Sequence, residues 1–158
     1  MSFQCQVSRA LDDEHRANLD LLGRLEQAFA RPGAANLADP ARMLVRHVEA
    51  EIGRHFDFEE HELFPRMAEA GDGDMAALLI EEHQAIREVC AELLPLARAA
   101  AAGTLTGSGA AALQRGVMEL VEREVAHIQK ETMALLPLLD DLLDDDADRE
   151  LAFAYAAA

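Results

Sequence analysis

Residues 55–65 read HFDFEEHELFP and residues 127–137 read HIQKETMALLP. Each run sets a carboxylate four residues after a histidine, as His55–Glu59 and His127–Glu131. Positions four apart share one face of an α-helix, one turn apart along its axis, so each pair can present an imidazole and a carboxylate to the same small object. Imidazole with carboxylate suits iron, zinc or manganese. Thiolate sites and all-oxygen Ca²⁺ or Mg²⁺ sites draw on other residues. One such pair on one helix is ordinarily a surface ion pair, so the reading depends on what surrounds the two copies.

The elements that must position them are four amphipathic segments. The first spans about Val7 to Phe29, with Leu11, His15, Asn18, Leu22, Leu25 and Phe29 three or four apart. After the loop RPGAANLADP, Asp39 is the expected N-cap and Pro40 the first helical position. The second segment follows Leu44, Val48, Ile52, His55, Glu59, Leu63 and Met67 to about Ala70, with Pro65 expected to kink it or end its regular part. GDGD is a turn with Asp74 available as the next cap. The third helix then follows Leu79, His83, Ile86, Cys90, Leu93 and Ala97. The fourth runs from about Ala110 to Leu143 along Leu113, Val117, Leu120, Glu124, His127, Glu131, Leu135, Leu138 and Leu142. Four such stripes with short connections predict an all-α fold, an antiparallel up-down-up-down four-helix bundle with its metal site in the core. One bundle over residues 1–146 is expected. Residues 147–158 read as a loosely held C-terminal extension, and the acidic run Asp140–Asp148 as a solvated end.

Six of the stripe positions hold ionisable residues where a bundle would take leucine: His15, His55, Glu59, His83, His127 and Glu131. Burying them without partners costs several kcal/mol each. Counted from the connecting loops at about 1.5 Å per residue, they fall near one level. His15 lies about 14 residues before the end of its helix and His55 about 16 after the start of the next; His83 and His127 are each about 18 from the last loop. A lone His83 would be an ordinary core histidine, but six groups at one level form a site. Four imidazoles and two carboxylates exceed one tetrahedral zinc. They suit two metals, each with two histidines, sharing both glutamates as bridges.

The chain has 158 residues, enough for one domain, and carries 30 acidic against 14 basic side chains, a formal charge of −16. That field repels phosphate, which argues against nucleic acid and anionic membrane surfaces as partners. No run approaches a membrane span or a secretory leader, and the two cysteines, Cys5 and Cys90, give no reason to draw a disulfide. A cytoplasmic location with reduced thiols is the expectation.

With these residues in place the chain resembles the haemerythrin-like, or HHE cation-binding, family from His15 to about Leu139. The shared pattern is a lone histidine (His15), His55–Glu59 within EEHELFP, a second lone histidine (His83), and His127–Glu131. The resemblance implies a non-haem di-iron centre with two bridging carboxylates and an oxo or hydroxo bridge. It also implies a small ligand such as O₂, NO or peroxide, and a role in oxidative or nitrosative stress or in iron sensing. The oxygen carriers of that family have a further histidine four residues after the one in helix 3, where this chain has Arg87, and His-x-x-x-x-Asp in the last helix, where this chain has His-x-x-x-Glu. The arrangement is closer to bacterial proteins linked to nitric oxide stress and iron–sulfur repair. Those carry a cysteine-containing N-terminal domain that this sequence does not show, which leaves repair activity without support. Ferritin-type bundles use two Glu-x-x-His pairs, whereas only Glu124–His127 has that spacing here.

Glu124, Glu51 and His47 are candidates to orient the imidazoles by hydrogen bonds, and Asn18 sits one turn from His15. His61 reads as surface, Glu60 as an alternative to Glu59 only if the register slips, and Cys90 as core packing. Three functions remain open on the sequence. One is a module that binds or senses O₂, NO or iron. Another is an oxidoreductase with an external electron donor, since no flavin, nicotinamide or haem motif is present. The third is a metal store or structural zinc site.

Overall fold

A computed structural model describes residues 2–31 and 36–158, without the side chain of Glu51. Part of the first connecting loop, and the orienting role expected of Glu51, therefore lie outside the described residues. All regular structure among them is helical. Helix α1 spans Gln6–Phe29. The rod over 38–69 joins α2 (Ala38–Arg46), a wide π turn His47–Ile52, α3 (Gly53–Phe58), a second π turn Glu59–Leu63 and α4 (Phe64–Glu69). Then come α5 (Gly73–Ala101), α6 (Gly107–Leu142) and α7 (Asp145–Ala157). The described residues thus form five rods where the sequence predicts four.

Local chemistry sets the ends. Thr106 caps α6, its hydroxyl accepting the Gly109 N–H at 3.2 Å. Helix α2 begins at Ala38, ahead of the expected Asp39–Pro40 start. Asn36 accepts the Ala38 N–H there, while the Asp39 carboxylate pairs with Arg42. The residue before α5 is Asp72, so Asp74 falls inside the first turn, where its charge still favours the positive helix end. Gly71 and Gly103, with φ of 95° and 75°, close the rods that precede them in a conformation other residues resist. Pro65 does not end its rod, which continues to Glu69. It sits in the first turn of α4, directly after the π turn, where the missing N–H is cheapest.

The core consists of two apolar clusters. One gathers Leu22, Leu25, Phe29, Leu44, Ile86, Leu93, Leu113 and Leu120 among others. The second gathers Val7, Leu11, Leu63, Phe64, Leu79, Leu135, Leu139 and Leu151. Each such buried side chain contributes about 1.5–3 kcal/mol. On every long rod the six residues singled out above fall between a member of one cluster and a member of the other, as His83 does between Leu79 and Ile86.

The C-terminal segment corrects the sequence reading. It is a helix packed on α1, with Leu151 buried in the second cluster, and not a loose extension. Two members of the acidic run hold the start of α1 from outside, and one of them caps it. Asp148 accepts the N–H groups of Gln6 and Val7 at 2.8 and 2.9 Å, and Asp140 those of Gln4 and Cys5 at 2.7 and 2.9 Å. The N-cap residue of α1, Cys5, makes no side-chain cap bond, so Asp148 from the far end of the chain supplies the acceptor for the first helical N–H groups while Asp140 holds the two residues before them. Burial works to raise the Asp140 pKa, but the bonds from Gln4 and Cys5 prevail and lower it. Asp144, accepting the Ala147 N–H at 2.8 Å, caps α7 itself.

Candidate metal centre

Four rods deliver the six predicted residues: α1 gives His15, α3 gives His55, the π turn that follows opens with Glu59, α5 gives His83, and α6 gives His127 and Glu131. All six are buried, with His55 the most exposed at 6%. They fall into two overlapping groups whose facing atoms lie within 4.8 Å of one another: His15, His55, Glu59 and Glu131, and Glu59, His83, His127 and Glu131. Both carboxylates belong to both groups. Nε2 of His55 and of His83 stand 3.2 and 3.5 Å from Oε1 of Glu59. Nε2 of His127 and of His15 stand 3.0 and 3.6 Å from Oε1 of Glu131.

Several of these atoms lack what burial demands. Both oxygens of Glu59, Oε2 of Glu131 and Nε2 of His15 have no hydrogen-bond partner, although the imidazoles stand close by. Nε2 of His83 and Nε2 of His127 face each other at 2.9 Å. That distance requires a proton shared between the two nitrogens or a cation that takes both lone pairs. Metal cations would resolve these features, because they would satisfy the carboxylates and take the converging lone pairs. The residues present fit such ions.

The outer nitrogens complete the pattern. Nδ1 of His15 meets Oγ1 of Thr132 at 2.9 Å, and Nδ1 of His55 meets Glu14 at 3.1 Å and the Tyr155 hydroxyl at 3.5 Å. Nδ1 of His83 meets Glu60 at 3.3 Å, and Nδ1 of His127 meets Glu82 at 2.9 Å. Such partners hold the proton on Nδ1 and turn Nε2 inward. Arg87 bonds Glu60 through both terminal guanidinium nitrogens, and Lys130 pairs with Glu82. Phe56 stacks on His83, ring centroids 3.7 Å apart and nearly parallel, and walls the centre from one cluster.

The carboxylates' demand for positive charge shows in the histidines. Burial alone would lower the pKa of His127, but the charge of Glu131 and the bonds from Glu131 and Glu82 push it up to about 9. Burial likewise opposes the rise at His55, and Glu59 and Glu14 carry it well above the ordinary value. Glu131 is held well below the carboxylate range: burial would raise it, but His127 lowers it.

The secondary candidates divide. Glu124 holds the Nε2 of His47 at 3.0 Å through both oxygens, so the imidazole it orients is that of His47 and not of the six. This buried pair lines a cavity of about 20 Å³ that belongs in part to the centre, since His15, His55, His127 and Glu131 line it too. Glu60 faces the outer side of His83 and not the shared core. Cys90 is buried and unpaired with Cys5, its thiol pushed up to about 12 chiefly by burial, in keeping with core packing. His61 is exposed on its own rod. The sequence reading missed Glu14, Glu82, Thr132, Phe56 and Tyr155. A faint signal existed for four of them: Glu14, Phe56, Glu82 and Thr132 each adjoin one of the six in sequence, as does Glu60.

Fold and site together define a helical protein whose core histidines and glutamates are arranged for metal cations. A family model for the hemerythrin HHE cation binding domain matches residues 6–139. The chain belongs to that family. No curated protein and no solved structure shows significant similarity to it. No helix among the described residues is long and apolar enough to cross a membrane.

Proposed function

We propose that this chain is a cytoplasmic di-iron protein that binds or reacts with one small ligand, O₂, NO or peroxide, in oxidative or nitrosative stress or in iron sensing. His15, His55, His83 and His127 are the terminal ligands and Glu59 and Glu131 the bridges. The observation that carries this reading is the sharing of both glutamates by two four-residue groups. The bundle is antiparallel, up-down-up-down. Support comes from the order in which successive rods meet the two apolar clusters, as Leu11 then Leu22 on α1 but Leu44 then Leu63 on the next rod. Two free cysteines suit a reducing compartment.

Two irons in such a site supply Lewis acidity and one-electron redox capacity. The chain's own residues do the rest. Glu14, Glu60, Glu82 and Thr132 fix four imidazoles with Nε2 inward. Phe56 excludes water from the His83 side. A small cavity of about 20 Å³ opens onto four of the six residues, His15, His55, His127 and Glu131, and gives a small ligand a way to the centre. His47 and Glu124 line that space and hold a proton at Nε2 of His47. Turnover, as opposed to binding, requires an electron donor from outside the chain.

Elemental analysis of protein purified without added metal, with absorption spectra before and after exposure to oxygen, tests the reading. The expected result is about two irons per chain with oxo-bridge charge-transfer bands in the near ultraviolet. One zinc with no spectral change would replace it with a structural site.

A further inference from the structure

We propose that α7 is a working part of the metal centre: Tyr155 positions His55 from outside and so governs retention of the metal held by His15 and His55. The proposal rests on the two-metal reading above. Helix α7 lies beyond the residues, 6–139, that match the family, so nothing in that match assigns it a role.

The geometry is that of a strap across one side of the site. At its start, Asp148 is bonded to the backbone of Gln6 and Val7, and Leu151 is buried, which fixes α7 to the helix that carries Glu14 and His15. At its end, Tyr155 stands against His55, ring centroids 5.8 Å apart and edge to face, with its hydroxyl 3.5 Å from Nδ1. The same ring packs on Phe58 at 5.2 Å, and Arg54 bonds the carbonyl of Ala158. Residues on both sides of His55 are therefore tied to the last turn of α7.

His55 is also the histidine that most needs such cover. It is 6% exposed, against 2%, 0% and 2% for His15, His83 and His127. An imidazole free to rotate about its side-chain torsions pays for ordering on each metal-binding event. Glu14 holds Nδ1 at 3.1 Å, and a phenol wedged between Phe58 and the outer edge of the ring restricts the freedom that this single bond leaves. Tyr155 touches no metal in this arrangement and acts through His55, as a positioning residue.

The sequence provides its own reporter, since Tyr155 is the single tyrosine and tryptophan is absent. The experiment loads the full chain with two equivalents of Co²⁺ or Fe²⁺, follows tyrosine emission during loading, then follows metal loss to excess chelator. In the wild type, emission falls as metal binds and two metals are retained. In Tyr155→Ala, one of the two leaves about tenfold faster while the other keeps its wild-type rate. Tyr155→Phe, which keeps the ring packing, falls between them. Leu151→Ala, which loosens α7 without altering the phenol, reproduces the selective loss. Circular dichroism checks that each variant stays helical. Equal rates in wild type and Tyr155→Ala, acceleration of both metals together, or emission indifferent to metal would each overturn the proposal. A wild-type chain that binds no pair of metals would overturn the two-metal reading and this proposal with it.

Discussion

The two halves of the centre share their carboxylates but are held from outside in different ways. Around His83 and His127 the outer partners are Glu60 and Glu82, each meeting a cation, Arg87 or Lys130. Around His15 and His55 they are the hydroxyl of Thr132, the carboxylate of Glu14 and the phenol of Tyr155. An anion on Nδ1–H strengthens the imidazole as a donor more than a hydroxyl does. Both imidazoles of the first half have such an anion, whereas in the second only His55 does, through Glu14. The second half relies more on packing, and on a helix contributed from the end of the chain. The position where oxygen carriers have another histidine shows the same division. Arg87 there turns away from the centre, lies over Phe56 and neutralises Glu60.

The largest test removes what both halves share. Glu59→Ala or Glu131→Ala should cut metal content from about two per chain to below one, and abolish the rise in thermal midpoint on adding metal. Wild-type stoichiometry in either variant would sink the ligand assignment. Next comes the contrast between halves: Glu82→Gln should weaken binding at the His127 site by about 10–100-fold in chelator competition. Thr132→Val should cost the His15 site less than tenfold. Equal losses would erase the distinction.

Protons sharpen the same comparison. The pKa of His127 is raised above its unfolded value. In protein without metal, the stability it contributes is therefore present below about 6.5 and lost as pH climbs through about 9. A metal takes that proton's place, so apparent affinity should rise with pH up to about 9, by about tenfold per unit for each proton displaced. Competition titrations at several pH values would show it, and a flat profile would contradict it. The smallest effect is expected at Cys90. Burial keeps its thiol protonated, so alkylation of folded protein should be slow and Cys90→Ala should leave the metal spectrum unchanged.

The sequence alone specified four of the five rods and the six inward residues, because both follow from a period near 3.6 that a single chain displays, while α7 escaped it. Histidines and glutamates on apolar stripes are visible as exceptions without any coordinates. The helix ends were less legible: Asp39 and Asp74 have cap chemistry, yet Leu37 and Asp72 occupy the cap positions. The cap of α1 was not legible at all, because its acceptor comes from Asp148, more than 130 residues away.

Only the tertiary structure decided who holds whom. Neighbours in sequence diverge by about 100° around a helix, so the residue beside an inward one faces the adjoining rod. Glu14 follows that geometry past His15 to His55, Glu82 past His83 to His127, Glu60 past Glu59 to His83, and Thr132 past Glu131 to His15. Periodicity shows which way a side chain points, but its partner lies on another helix, whose azimuth and height are fixed by packing. Tyr155 is the extreme case. It sits in a tail of alanines and acids that carries no site signal, and α7 brings it to His55 because Leu151 has a core to fill and α1 has N–H groups to cap.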